Sequence, residues 1–76
     1  MALIKRSFTL HGHRTSLALE PEFWAVVDEE AERRNQAVAA LIAEIDLTRD
    51  PDDSLSSIVR VWALTIVQEK LGPNTG

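Results

Sequence analysis

A chain of 76 residues with 45% hydrophobic content and no cysteine makes one small domain. It can hold neither a disulfide nor a thiolate metal site, and at this size it is expected to need a partner or staple. Its net charge of −4 is unevenly placed: residues 1–19 carry Lys5, Arg6 and Arg14 and no acid (+3), and residues 20–76 carry five cations against twelve acids (−7). A basic arm on an acidic body is the asymmetry expected where one edge meets phosphate, although a solvated N-terminus would carry the same charge. The longest apolar-rich stretch, Ile58–Val67, contains Arg60 and is too short to cross a bilayer. Met1–Thr9 lacks the apolar core of a signal peptide. A cytoplasmic protein with no membrane partner is therefore expected.

In chain order, residues 1–12 show no clear period and end at Gly12. A strand is expected over about 13–20, where Thr15, Leu17 and Leu19 share one face and Arg14, Ser16 and Ala18 the other. It is the one convincing strand of the sequence. A lone strand leaves its backbone groups unsatisfied, so pairing with a second chain across a two-fold axis is the simplest expectation. A first helix is expected over about 21–34, with Pro21 at its first position. Phe23, Val27 and Ala31 form its core stripe, Trp24 and Val26 flank it, and Asp28, Glu29, Glu30 and Glu32 form a wet face. Arg33 and Arg34 suit its C-terminal end, and Asn35 a left-handed cap. A second helix over about 37–46 presents Val38, Leu41, Ile42 and Ile45. After a loop containing Pro51, Asp53 or Ser54 caps a third helix over about 54–71. Its apolar positions Leu55, Ile58, Val59, Trp62, Ile66 and Leu71 are broad enough to be largely buried. Residues 1–71 thus form a single domain, and 72–76 a frayed tail.

The run Gly12–Glu20, then Phe23–Trp24, Leu41–Asp46, Leu55–Ser57 and Arg60, resembles a small family of stand-alone ribbon-helix-helix domains. They belong to the superfamily of bacterial repressors and antitoxins. The resemblance implies a mostly α fold: one N-terminal strand per chain paired across an intertwined homodimer, with an extra C-terminal helix here. Leu17, Leu19, Phe23, Trp24, Val27, Leu41, Ile42, Ile45 and Trp62 would make the dimer core. It also implies double-stranded DNA as a partner, with Arg14, Ser16 and Ala18 at base edges and the backbone of Ala37, Val38 and Ala39 on a phosphate. Two departures stand against it: Ala37 replaces the usual hydroxyl, and Glu30 lies where an apolar residue is common.

The chemistry of these residues supports part of that reading by itself. Arg14 can donate two bonds to guanine O6 and N7, Ser16 can bond several bases, and Ala18 can touch a thymine methyl. A helix N-terminus offers free N–H groups to a phosphate, and Lys5, Arg6 and His13 could add backbone contacts. His11 and His13 could share a strand face and meet a metal in a dimer. No acid or cysteine lies near them in sequence to complete a site, so no metal or other cofactor is expected. No catalytic motif is present, and an enzyme is not expected. Arg60, set among apolar residues, could pair with an acid such as Asp46 or Glu44, or reach solvent along its stem. The alternative to a DNA-binding repressor is a protein-interaction dimer, an adaptor or antitoxin-like partner binder, that has lost most DNA contact.

Overall fold

The computed structural model describes residues 2–72; the tail expected over 72–76 lies, Gly72 aside, outside them. The elements are β1 (Ile4–Leu10), β2 (His13–Leu19), α1 (Pro21–Arg33), α2 (Val38–Asp46) and α3 (Leu55–Lys70). The fold is mostly α, an N-terminal antiparallel ribbon backed by helices, with α3 as the additional C-terminal helix.

Both strands of the ribbon come from one chain, which corrects the reading of a single strand per chain. β1 and β2 pair in register from Ile4 opposite Leu19 to Leu10 opposite His13. The strands are joined by His11 and Gly12, at φ 52° and 82°. Two left-handed residues form the tight turn whose twist matches a hairpin, and glycine takes the second position without a steric penalty. His11 is therefore in the turn and not on a strand face with His13. Cross-strand partners share a face. Ile4, Arg6, Phe8 and Leu10 thus face inward with Leu19, Leu17, Thr15 and His13. Lys5, Ser7 and Thr9 face outward with Ala18, Ser16 and Arg14.

Arg6 hides this strand in the sequence, because a cation stands at an inward position. The structure shows what accommodates it. Its guanidinium lies 4.2 Å from the centre of the Trp24 ring and donates to both Asp28 oxygens at 2.8 and 3.0 Å. The Trp24 indole N–H donates to the Ile4 carbonyl at 2.7 Å, and the Phe8 ring packs 6.0 Å from the Trp24 ring. Trp24 thereby fastens β1 to α1 with its polar handle satisfied.

α1 begins at Pro21, with the Glu20 carbonyl accepting from the N–H groups of Phe23 and Trp24. Beyond its last residue, Arg33, it is terminated by Asn35, left-handed at φ 54°, where Gln36 N–H bonds Ala31 O and Asn35 N–H bonds Glu32 O. These two bonds satisfy the last carbonyls of the helix. The buried stripe is Trp24, Val27 and Ala31, one position round from the expected stripe through Phe23, which is half-buried. Glu30, expected on the wet face, is 1% exposed. Arg33 donates to it from Nε at 3.0 Å and Arg34 from Nε at 2.7 Å, so it enters the interior with its counter-charges attached.

α3 is capped by Ser54, whose hydroxyl accepts from Ser57 N–H at 3.1 Å. Val59, Ala63 and Ile66 are buried, while Leu55, Ile58 and Trp62 are half-buried. Leu71, expected in the core, is exposed, as are Val61 and Leu64. Arg60 pairs with Glu20 at 3.0 Å and not with Asp46 or Glu44, which ties α3 to the junction of β2 and α1. One chain thus buries Leu17, Leu19, Trp24, Val27, Leu41, Ile42 and Ile45 in a shared core with Val59. At roughly 1.5–3 kcal/mol for each large side chain, this core is the main favourable term in folding.

Candidate nucleic-acid interface

The ribbon's two faces divide along the alternation of its strands. The inner face packs on helices through Arg6, Phe8, Leu10, Leu17 and Leu19, with Ile4 and His13 exposed at its ends. The outer face presents Lys5, Ser7, Thr9, Arg14 and Ser16, all exposed, with Ala18 half-exposed. Ser7 stands opposite Ser16, Thr9 opposite Arg14, and Lys5 opposite Ala18. The face carries two cations and no acid. Arg14 lies four residue steps from the Lys5–Ala18 pair, roughly 13 Å at about 3.3 Å per residue. Hydroxyls fill the space between. The side chains of Ser7, Thr9, Arg14 and Ser16 join none of the hydrogen bonds among the described residues, so their donors are free for a ligand.

The expected base-edge residues Arg14, Ser16 and Ala18 are therefore brought together on one open face. Sequence reasoning missed Ser7 and Thr9, which join them from β1. The signal was present: Ile4, Phe8 and Leu10 alternate with Lys5, Ser7 and Thr9, and a glycine lies two residues beyond.

The expected phosphate contacts are scattered. Lys5 is on the outer face, at the end away from the turn. Arg6 is on the inner face and spent on Asp28, whose carboxyl is held below its ordinary range mainly by the hydrogen bond from Arg6. His13 is at the start of β2, opposite Leu10. Ala37 is the N-cap of α2 with extended backbone at φ −67° and ψ 145°, and it makes no side-chain cap. The N–H groups of Val38, Ala39 and Ala40 begin the helix, and its first backbone bond runs from Leu41 N–H to Ala37 O. Leu17, Leu19, Trp24, Val27, Leu41, Ile42 and Ile45, expected in a dimer core, are already covered within one chain, with Phe23 and Trp62 half-buried beside them. No group of three or more potential metal ligands occurs among the described residues.

A two-stranded antiparallel ribbon, polar outside and packed on helices inside, defines a class of small domain that presents a flat, narrow β surface. The chain belongs to the ribbon-helix-helix domain family, whose family model matches residues 3–67. Membership points to a role of the DNA-binding, transcription-regulator kind. Comparison with curated proteins and with solved structures gives no significant match. No helix among the described residues is long and apolar enough to cross a membrane.

Proposed function

We propose that the protein is a homodimeric DNA-binding transcriptional repressor of the bacterial cytoplasm that lays the outer face of its ribbon in the major groove. The observation that carries this reading is the face itself: Lys5, Ser7, Thr9, Arg14 and Ser16 exposed on a two-stranded ribbon, with Arg14 unbonded. A ribbon of two strands fits the major groove, about 12 Å wide. Arg14 supplies a two-pronged donor for guanine, the serines and Thr9 supply adaptable donors and acceptors, and Ala18 permits close approach. Lys5 contributes a charge for the backbone. α2 begins with free N–H groups and gives a phosphate a dipole without a side-chain cap.

Dimerisation has its own support. Ribbon-helix-helix proteins generally act as dimers, and one chain leaves Val61, Leu64 and Leu71 of α3 exposed at 61%, 54% and 76%. A second copy would cover that stripe and double the number of ribbons on the duplex.

The test is fluorescence anisotropy of labelled genomic duplex fragments with wild type and Arg14→Ala, titrating salt. Binding that weakens steeply with salt, selects some fragments, and loses its preference in Arg14→Ala supports the reading. Each phosphate contact steepens the salt slope by about 0.9. Absence of binding by wild type at about 50 mM salt, where electrostatic contacts are strongest, overturns it and favours a protein-interaction dimer.

A further inference from the structure

The hairpin turn closes over the C-terminal end of α2, and between them lies a cleft of about 520 Å³. His11, His13 and Arg14 enter it from the ribbon, Asp46 from α2, and Arg49 from the loop that follows. Asp46 is its one carboxylate. Arg49 answers that charge, donating from Nε to Asp46 at 2.9 Å and from Nη1 to the Asp53 carbonyl at 2.9 Å. These bonds fix the Arg49 guanidinium and leave its remaining N–H groups unused. His11 Nε2 stands 3.9 Å from the other Asp46 oxygen, near but outside hydrogen-bonding distance. The side chains of Arg14 and His13 have no hydrogen-bond partner among the described residues. The cleft thus holds one balanced pair, one surplus guanidinium and two imidazoles.

We propose that this cleft binds an oxyanion of the phosphate class, gripped by Arg14 and the unused N–H groups of Arg49, with His11 and His13 as further donors at its rim. A guanidinium fork matches the spacing of phosphate oxygens and strengthens when its partner is charged. Two guanidiniums on different elements, one already fixed by bonds to Asp46 and Asp53, supply a convergent grip. An apolar ligand would leave these donors unpaired, and a cation would meet Arg14 and Arg49. The phosphate can be the duplex backbone at the ribbon's end, which rests on the DNA reading, or a free phosphorylated compound, which does not.

The experiment uses the full chain, labelled with ¹⁵N and titrated with inorganic phosphate at constant ionic strength, chloride serving as control. Amide shifts that saturate in the millimolar range and centre on residues 10–15 and 46–49 are expected. Arg14→Ala and Arg49→Gln should each weaken binding at least about fivefold. Lys5→Ala, at the far end of the ribbon, should leave it unchanged. The dispersion of each variant's spectrum reports whether it is folded, and His13→Ala gives a second reading if Arg49→Gln is not. Adding duplex DNA then distinguishes the sources. Displacement of phosphate, together with weaker DNA binding by Arg49→Gln, shows that the cleft takes a backbone phosphate, since Arg49 lies off the ribbon face on which Arg14 would meet a base. Saturable phosphate binding that DNA does not displace assigns a free phosphorylated ligand and stands even if DNA binding fails. Shifts that do not saturate by about 50 mM phosphate, or that chloride reproduces, overturn the proposal.

Discussion

Replacing Glu30 with glutamine should remove a measurable part of the protein's acid sensitivity while leaving its shape intact. The carboxylate is 1% exposed. Hydrogen bonds from Arg33 first, and then Arg34, outweigh burial and lower its pKa from 4.5 to about 2. A difference of about 2.5 units corresponds to ~3.4 kcal/mol at 1.36 kcal/mol per unit. The two arginines are 62% and 35% exposed, so water screens them and about 2 kcal/mol is the working figure. Because the folded-state pKa is depressed, this stabilisation is fully present above pH 4.5 and is lost as pH falls toward 2. Urea unfolding at a series of pH values between 7 and 2 is the assay. Wild type should lose about 2 kcal/mol more than Glu30→Gln across that window. Asp28 and Glu20, whose carboxyls are also lowered by arginine hydrogen bonds, remain in both proteins and cancel in the difference. Parallel stability profiles would refute the idea that the Arg33–Glu30–Arg34 cluster holds a buried charge.

Three further outcomes follow from the packing. Trp24→Phe removes the donor to Ile4 O and part of the surface beneath Arg6, and should cost about 1.5–2.5 kcal/mol in denaturant unfolding. A loss below about 0.5 kcal/mol would mean that β1 is not fastened through Trp24. Gly12→Ala forces a side chain onto φ 82° and should cost about 1–2 kcal/mol, measured by thermal unfolding, although no atom lies within 4 Å of the added Cβ. Leu64→Glu, at a 54% exposed position, should leave one chain's stability within about 0.5 kcal/mol. It should weaken self-association in sedimentation velocity; an unchanged dimer would remove α3 from the interface.

Most of the architecture is legible in the residues because it rests on periodicity. Thr15, Leu17 and Leu19 alternate cleanly, Pro21 opens α1, and Asn35 closes it. The rest is hidden wherever a charged side chain is neutralised by a partner distant in sequence. Arg6 reads as a free cation until Asp28 is brought beneath it from 22 positions away. Glu30 reads as solvated until Arg33 and Arg34 fold back on it. Arg60 offers Asp46 and Glu44 to a sequence argument, and only the tertiary fold selects Glu20. The outer face was half legible: Arg14, Ser16 and Ala18 follow from β2 alone, while Ser7 and Thr9 require β1, which Arg6 conceals.

This neutralisation also revises the charge argument for DNA binding. The N-terminal arm is +3 in sequence, but Arg6 is bound to Asp28, and among the described residues of the arm the free cationic side chains are Lys5 and Arg14, at opposite ends of one face. Two charges cannot overcome an acidic body by bulk attraction, since the Debye length is about 8 Å at physiological ionic strength. Any affinity for DNA must come from contacts made at close range by a rigid ribbon. The structure supplies that rigidity on the inner face, where Arg6, Phe8 and the Ile4 carbonyl are all bound to α1 through Trp24 and Asp28. If such a ribbon docks on DNA as proposed, it loses little conformational freedom, and its few polar groups would serve recognition and not the ordering of the strands. Under the DNA-binding proposal, Arg6 would serve the interface from behind. Arg6→Met should weaken DNA binding by loosening β1, whereas Arg14→Ala should weaken it with β1 still in place. Hydrogen exchange of the β1 amides separates the two: faster exchange in Arg6→Met alone is expected, and equal exchange in both variants would show that rigidity is not what Arg6 contributes.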